Sequence, residues 1–198
     1  MSEALIHHTA EVSDSAIIGP GSRVWHFAHV RENCVLGVNV TVGRGVYIGP
    51  GVRVGNNCKI QNSALIYEPS IIESAVFIGP GVILTNDQYP RATNSKSELK
   101  SVSEWEIVGV KICEGASIGA GVVCVAPVEI GAWSLVAAGS TVVKNVPAFA
   151  LVAGTPAKWI NWVGKAGIPL EKIQEDLFKC PKTGEIYKEL DSQTLVIG

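Results

Sequence analysis

Four polar side chains stand together where the chain leaves an otherwise regular pattern: Asn86, Asp87, Tyr89 and Arg91. The Asn86 amide offers two hydrogen-bond donors and one acceptor, which suit the positioning of an amine or the polarisation of a carbonyl group. The planar guanidinium of Arg91 suits a carboxylate or a diphosphate. We therefore predict that Asn86 is catalytic and that Asp87, Tyr89 and Arg91 bind substrate. The structural alternative is an Asn-Asp turn followed by a solvated arginine.

Two histidines and two aromatic residues fall in a second stretch, Val24-Trp25-His26-Phe27-Ala28-His29-Val30. Because imidazole titrates near neutral pH, His26 is a candidate catalytic base. The alternative is a histidine that binds substrate or lines a subunit interface. Arg31, close by, is a second candidate for binding a carboxylate or a diphosphate. A three-histidine metal site needs a third ligand, and no histidine follows His29 in the chain, so we predict no metal.

Small residues dominate a third stretch, in which Val136-Ala137-Ala138-Gly139-Ser140-Thr141-Val142 precedes Gly154-Thr155-Pro156-Ala157-Lys158. Small side chains let a long, thin ligand lie along the backbone and exchange hydrogen bonds with its amides. Lys144 and Lys158 are candidates for contacts with the phosphates of such a ligand. The alternative is a final coil followed by a helix cap, with both lysines exposed to solvent.

A period of six residues predicts the scaffold that must hold these side chains. Aliphatic residues occupy fourteen consecutive positions of this period, and glycine often follows them. They are Ile6, Val12, Ile18, Val24, Val30, Leu36, Val42, Ile48, Val54, Ile60, Ile66, Ile72, Ile78 and Leu84. A period of six fits a short strand and a turn, and three such units close a triangular coil. We expect the glycines where the backbone turns tightly or needs a positive φ.

The period breaks once and then resumes. It returns at Ile112 and runs through Val142, so that 22 extra residues lie between Leu84 and Ile112. An insertion into a solenoid must leave as a loop, which we place at about 85–106. At about 4.8 Å for each coil, His26 lies about three coils, or roughly 15 Å, from Asn86 in one chain.

The period ends before Pro147, so residues 1–147 are predicted to form the solenoid and 148–198 a C-terminal cap. Thr155 and Pro156 predict the start of a short helix over about 156–163. Pro169 predicts the start of a second helix that ends near Lys179. The turn-rich residues 180–187 allow an edge hairpin.

Composition narrows the class of protein. Apolar residues make up 47% of the chain, charged residues 17%, and there are 21 glycines, which favours a compact β protein. The net charge of −2 gives no electrostatic reason to expect nucleic acid or an anionic membrane as a partner. The chain does not start with the basic and apolar segments of a signal peptide. Five cysteines without a paired motif lead us to expect reduced thiols and a cytoplasmic location.

The [LIV]-G-x-x-[small]-x pattern resembles the hexapeptide-repeat proteins that fold as left-handed parallel β-helices. The AGS-VV and G-T-P-A-K segments resemble the acyl-CoA contacts of hexapeptide acyltransferases. With the loop Leu84-Thr85-Asn86-Asp87-x-x-Pro90-Arg91, the chain is similar over about 6–165 to the N-acetyltransferases of nucleotide-linked 3-amino sugars. Among them it most resembles enzymes that acetylate UDP-2-acetamido-3-amino-2,3-dideoxy-glucuronate for O-antigen and lipopolysaccharide.

The resemblance implies an all-β solenoid, acetyl-CoA as cosubstrate, and a homotrimer whose active sites lie between subunits. It marks Asn86 as the catalytic-site residue and requires no side-chain base. The residues that it assigns to the cofactor are Gly121, Ala138, Gly139, Lys144, Gly154, Pro156 and Lys158. A dTDP-linked 3-amino-6-deoxyhexose, an O-acetylation target and a non-catalytic trimeric solenoid stay open as alternatives.

Overall fold

The computed structural model describes residues 2–198 and shows a parallel β-solenoid with three faces. Each coil contributes one short strand to each face, and strands pair in parallel with the strand 18 residues later, except at the insertion and at the C-terminal end. This architecture, built from hexapeptide repeats, is the left-handed β-helix, and the predicted fold class is confirmed.

The strands of each face follow one another along the solenoid. Face 1 contains Leu5–Ile6, Arg23–Val24, Thr41–Val42, Lys59–Ile60, Phe77–Ile78, Ser117–Ile118, Leu135–Val136, Ala150–Gly154 and Ala157–Trp162. Face 2 contains Glu11–Val12, His29–Val30, Tyr47–Ile48, Leu65–Ile66, Ile83–Leu84, Val123–Cys124 and Thr141–Val142. Face 3 contains Ile17–Ile18, Val35–Leu36, Arg53–Val54, Ile71–Ile72, Val110–Ile112 and Val128–Ile130. We name each corner by the two faces that it joins: corner 1–2, corner 2–3 and corner 3–1.

The side chains that point inward form one continuous hydrophobic core. Ile66 and Leu84, for example, are fully buried in successive coils of face 2. Cys34, Cys58 and Cys124 are also fully buried, as their inward positions predict. Burial raises the pKa of Cys124 to about 12. All five cysteines are free thiols, so the core is held by packing rather than by disulfides.

The glycines that follow the aliphatic positions have a different purpose from the one expected. A Cβ at Gly79 would lie only 2.7 Å from the backbone nitrogen of Ala120 in the next coil. Positive φ values fall two residues later in the corner, at Gly81 (+67°), and also at non-glycine residues such as Ala75 (+60°). The first glycine therefore allows close stacking of coils, whereas the left-handed conformation belongs to the following corner position.

The insertion leaves the solenoid as a loop, as predicted, and it does so at corner 2–3. Ile72 pairs with Ile112 and Ile78 pairs with Ile118, so the partners are 40 residues apart rather than 18. The extra 22 residues therefore leave the register of the faces unchanged. The inserted loop contains one short 3₁₀ helix, Val102–Glu104.

The first predicted C-terminal helix is wrong. Ala150–Gly154 and Ala157–Trp162 are strands that form an antiparallel hairpin, with Thr155 and Pro156 as its turn. The first of these strands pairs in parallel with Leu135–Val136 and so extends face 1. A Thr-Pro pair suits a tight turn as well as a helix start, and pairing with the open edge of face 1 selects the turn.

The second predicted helix is also wrong, because residues 169–179 contribute strands to a four-stranded antiparallel tail sheet. Its strands are Glu171–Lys172, Leu177–Lys179, Ile186–Asp191 and Thr194–Ile197. Leu170 is buried but Ile173 is 48% exposed, so the apolar residues do not form one buried helical face. The hairpin allowed at 180–187 is present, because residues 180–185 form the turn between the antiparallel strands Leu177–Lys179 and Ile186–Asp191. These are the inner strands of the sheet rather than an edge pair.

The tail sheet packs against the C-terminal end of the solenoid. Tyr187 is fully buried, and its ring centroid lies 5.6 Å from that of Phe149. Its hydroxyl accepts a hydrogen bond from the Lys165 backbone N–H at 3.0 Å and donates one to Glu185. Burial, followed by the bond to Glu185, raises the pKa of Tyr187 to about 12. Within residues 2–198, no helix is both long enough and apolar enough to cross a membrane.

Candidate functional site

Asn86 lies where the rigid solenoid meets the inserted loop. It follows strand Ile83–Leu84 directly, and its backbone carbonyl accepts a hydrogen bond from Val108 N–H at 3.2 Å. The adjacent Thr85 receives a further bond from Ala126 N–H to Oγ1 at 3.0 Å. The Asn86 side chain is half-buried, and within residues 2–198 its amide makes no hydrogen bond. The backbone of Asn86 is thus fixed while its amide stays available to a ligand.

The inserted loop is an ordered structure of its own. Thr93 and Leu99 form an antiparallel bridge, and Asn94 Oδ1 accepts bonds from the backbone N–H groups of Lys96 (2.9 Å) and Glu98 (3.2 Å). The Glu104 carboxylate accepts a bond from Ser101 N–H at 2.9 Å, which is the main cause of its lowered pKa. These contacts shape the loop without using the residues predicted to bind substrate.

Two small pockets lie within the loop, and both border residues predicted to bind substrate. Asp87 and Tyr89 line a pocket of ≈ 200 Å³, and Asp87 and Arg91 line a second of ≈ 250 Å³. Asp87 Oδ1 also accepts the Tyr89 N–H at 2.8 Å, so the turn named as the structural alternative is present as well. Trp105, which sequence reasoning missed, lines both pockets. Its indole N–H is buried without an acceptor among the described residues.

Arg31 lies on corner 2–3, the same corner as Asn86 but three coils away. Its guanidinium is paired within the chain, because Nε and Nη2 donate to the two carboxylate oxygens of Glu32 at 2.7 and 2.8 Å. This pair raises the pKa of Arg31 and lowers that of Glu32. A third contact joins Arg31 Nη1 to Tyr47 Oη at 3.4 Å. A substrate anion would therefore compete with Glu32 for the guanidinium.

His26 lies on corner 1–2, so face 2 separates it from the inserted loop within one chain. Its ring stacks on that of His7 with a centroid distance of 3.5 Å. Burial, and then the neighbouring imidazoles of His26 and His8, lower the pKa of His7. Sequence reasoning gave His7 no role. Trp25 follows His7 by 18 residues, so the repeat places His7 one coil before Trp25 and close to His26. Within residues 2–198, no group of three or more metal-ligating side chains is found.

The residues predicted to bind the cofactor gather mostly at corner 1–2 near the C-terminal end. Gly121 and Gly139 occupy equivalent corner positions in successive coils, with φ values of +67° and +72°, and a Cβ at either would meet no atom within 4 Å. Ala138 lies next to Gly139, whose N–H donates to the Ala120 carbonyl at 2.8 Å. The corner therefore presents an open backbone surface.

The hairpin of face 1 extends this surface. Gly154 N–H donates to Ser140 Oγ at 3.1 Å, and Pro156 follows in the exposed turn. Lys158 is exposed opposite Ala153. Lys144 instead follows the last strand of face 2 and lines a separate pocket of ≈ 160 Å³. That pocket is also lined by Val152, Ala157 and Trp159 of the hairpin, so Lys144 borders the hairpin from the side opposite the open corner.

Three further side chains, in the two coils before Asn86, were missed by sequence reasoning: Tyr47, Tyr67 and Glu68. Tyr47 lies on face 2, and Tyr67 directly follows the next strand of that face. The centroids of the two rings are 5.3 Å apart. Glu68 precedes Asn86 by 18 residues and so occupies the same position one coil earlier. Stepping back from Asn86 by one coil length would have identified Glu68.

Comparison with known families supports the repeat. A model described as bacterial transferase hexapeptide (six repeats) matches residues 27–62. The bifunctional protein GlmU of Shouchella clausii is 31% identical over 146 residues, which are 74% of this chain and 28% of GlmU. A 2,3,4,5-tetrahydropyridine-2,6-dicarboxylate N-acetyltransferase of Clostridium perfringens is 50% identical over 62 residues, 31% of this chain and 26% of that protein. The chain spans 28% and 30% of the first two curated relatives that it matches.

Solved structures give the same fold. A hexapeptide-repeat acetyltransferase of Vibrio cholerae, VCA0836, complexed with acetyl coenzyme A, has a TM-score of 0.52 at 26% identity, over 67% of this chain and 72% of that one. PerB from Caulobacter crescentus, in complex with CoA and GDP-perosamine, has a TM-score of 0.51 at 23% identity, over 81% and 58% of the chains. At that identity, the likeness to PerB shows the fold alone.

Proposed function

We propose that this chain, whose repeats are those of the hexapeptide transferase family, is an acetyl-CoA-dependent N-acetyltransferase. Its acceptor is the 3-amino group of UDP-linked 2-acetamido-3-amino-2,3-dideoxy-glucuronate, a precursor of O-antigen or lipopolysaccharide. The observation that carries the proposal is the Asn86 amide, which is half-buried at the end of a coil and bonded to no other described residue. The acetyl-CoA complex of VCA0836 and the relative named as an N-acetyltransferase support the choice of cosubstrate.

The proposed reaction needs orientation more than a strong base. The neutral amine attacks the thioester carbonyl carbon, a C–N bond forms, and the tetrahedral intermediate then loses its C–S bond. The departing CoA sulfur, with a thiol pKa of about 8.5, takes the surplus amine proton directly or through water. Asn86 orients the amine, and backbone N–H groups near Gly121 or Gly139 stabilise the oxyanion. His26 is the alternative proton acceptor if a neighbouring subunit supplies it.

Binding of the two substrates divides between two corners. The pantetheine arm of acetyl-CoA lies along Ala138, Gly139, Gly154 and Pro156 at corner 1–2, where the open backbone surface supports its placement. Lys158 and Lys144 meet the phosphates. Asp87, Tyr89 and Arg91 hold the acceptor in the inserted loop at corner 2–3.

Face 2 separates the two corners, so the two substrates meet most readily when a second subunit brings corner 1–2 to the loop. We therefore propose a homotrimer with each active site shared by two chains. We place the enzyme in the cytoplasm, in keeping with its five free thiols.

A dTDP-linked 3-amino-6-deoxyhexose is a second candidate acceptor. It is favoured by the pairing of Arg31 with Glu32, because this cation then offers little to a uronate carboxylate. The test is release of CoA thiol from acetyl-CoA with the UDP-linked amino uronate, its uncharged analogue, the dTDP-linked sugar, or no acceptor. Release that requires the UDP uronate supports the proposal, and preference for the dTDP sugar changes the substrate. If no acceptor gives release of CoA thiol, and calorimetry shows no binding of acetyl-CoA, the proposed activity is refuted.

A further inference from the structure

A buried carboxylate oxygen beside Asn86 lacks a hydrogen-bond donor. Oε2 of Glu68 is buried and has no partner among the described residues. Glu68 lies two residues after the inward Ile66, as Asn86 lies two residues after Leu84, and Ile66 pairs with Leu84. The two polar residues therefore occupy successive coils at corner 2–3, with backbones about 4.8 Å apart.

Other corners show what a side chain at this position normally does. Asn56 Oδ1 accepts a hydrogen bond from Val38 N–H, 18 residues earlier, at 2.8 Å. Asn62 Oδ1 accepts one from Arg44 N–H in the same way at 2.9 Å. Each such side chain bonds the backbone N–H of the equivalent residue in the preceding coil. In this arrangement the side-chain oxygen has a backbone N–H as its donor.

Glu68 occupies this position, but its bond is impossible. The residue 18 positions earlier is Pro50, which has no backbone N–H. The Glu68 carboxylate still rests against the preceding coil, because a Cβ at Gly49 would overlap its Oε2. The acceptor is therefore in place and its intramolecular donor is missing by sequence.

The surroundings do not neutralise this carboxylate. Among the described residues, no ion pair includes Glu68, and Arg31, a cation two coils earlier at the same corner, is bound by both oxygens of Glu32. Tyr67 directly precedes Glu68, and its ring centroid lies 5.3 Å from that of Tyr47. A ligand that brings an N–H or ammonium donor would fit this environment.

We propose that Glu68 binds the amine of the acceptor sugar together with Asn86, an inference that rests on the proposed function. A neutral amine has two N–H donors and one lone pair. One N–H donates to the Glu68 carboxylate, and the other donates to Asn86 Oδ1. The lone pair is then free to face the thioester carbon. Glu68 is thus a substrate-binding residue that selects an amine over a hydroxyl.

The first test compares Glu68→Gln with Asp14→Asn in the full chain. Asp14 is an exposed acid at the same corner position three coils earlier. With the UDP-linked amino uronate as probe, we expect Glu68→Gln to raise KM about 10- to 100-fold, because a charge-assisted hydrogen bond is lost. The Kd for acetyl-CoA should not change, and Asp14→Asn should match the parent. Glu68→Gln should also bind the amine and its 3-hydroxy analogue equally in calorimetry with CoA present.

A second variant, Pro50→Ala, restores the missing N–H and lets Glu68 bond within the chain as Asn56 does. We expect it to remain folded and to raise KM for the amine, because the carboxylate is then occupied. The proposal is overturned if the parent is active while both variants keep its KM, or if Glu68→Gln alters only the oligomeric state or Tm. If the parent itself releases no CoA with any acceptor, the proposed function fails, and this inference fails with it.

Discussion

Replacing Asn86 with alanine separates catalysis from stability. The side chain is half-buried and makes no hydrogen bond within residues 2–198, so its loss leaves no described donor or acceptor unpaired. The carbonyl that accepts the Val108 N–H belongs to the backbone and survives the substitution. We therefore expect the Tm to stay close to that of the parent.

The size of the kinetic effect indicates what the amide does. If Asn86 stabilises charge that develops in the transition state, kcat should fall about 10²- to 10³-fold, or about 2.7–4 kcal/mol. If it contributes only one neutral hydrogen bond to the bound amine, the loss is about 0.5–1.5 kcal/mol, about tenfold at most, and appears in KM. Steady-state release of CoA thiol, with both substrates varied, distinguishes the two roles.

A matched control removes a carboxamide elsewhere. Asn57 lies on corner 3–1 with a φ of +58°, a conformation that glycine accepts without strain. Asn57→Gly should therefore change kcat/KM by no more than about twofold. Near-parental kcat and KM in Asn86→Ala would refute our reasoning about the site. A large loss of Tm would show that the amide is structural.

Three further predictions concern the scaffold. Gly79→Ala places a Cβ 2.7 Å from the Ala120 nitrogen and should lower the free energy of unfolding by about 1–3 kcal/mol in urea titrations; an unchanged midpoint would contradict the stacking role. Deletion of 86–107 removes 22 residues and restores the period of six, so circular dichroism should show a folded β protein that releases no CoA thiol; an unfolded chain would refute the claim of preserved register. The pKa of the Cys124 thiol is about 12 in the folded state, raised from 9.0, so between pH 9 and 12 the unfolded chain loses this proton while the folded chain keeps it. The free energy of unfolding should therefore fall over this range by up to about 1.4 kcal/mol per pH unit. In the same titrations, Cys124→Ala should show a smaller fall.

Much of the fold could be predicted because each hexad must bury one aliphatic side chain in the core of the solenoid. An aliphatic residue every six positions fixes the strand, and the spacing between Leu84 and Ile112 fixes the length of the insertion. The C-terminal residues have no such repetition. Thr155 and Pro156 suit a helix start or a turn, and only the open edge of face 1, which lies far away in sequence, decides between them.

The candidate site was predicted less completely than the fold. Asn86 was proposed because it follows the last residue of the unbroken repeat, but the pairing of Arg31 with the adjacent Glu32 cannot be read from residue types. Trp105 carries no local signal, since the pockets that it lines together with Asp87 form only when the loop folds. Glu68 could have been found, because the 18-residue period that predicts the coil also predicts which residues share a corner. Side-chain neighbours in a solenoid are thus predictable along its axis but not across an inserted loop.

The preserved register also explains how such a site can acquire a new acceptor. Leu84 pairs with Cys124 across the insertion as Ile66 pairs with Leu84 without one, so the core is continuous whatever the loop contains. Substitutions in the loop should therefore cost little in packing, and under the proposed function they would alter the contacts of the acceptor. Gly121 and Gly139, at corner 1–2, leave the backbone surface open, and their corner is where we place acetyl-CoA. If both assignments hold, exchanging residues 86–107 between related chains should change the acceptor and leave the affinity for acetyl-CoA unchanged.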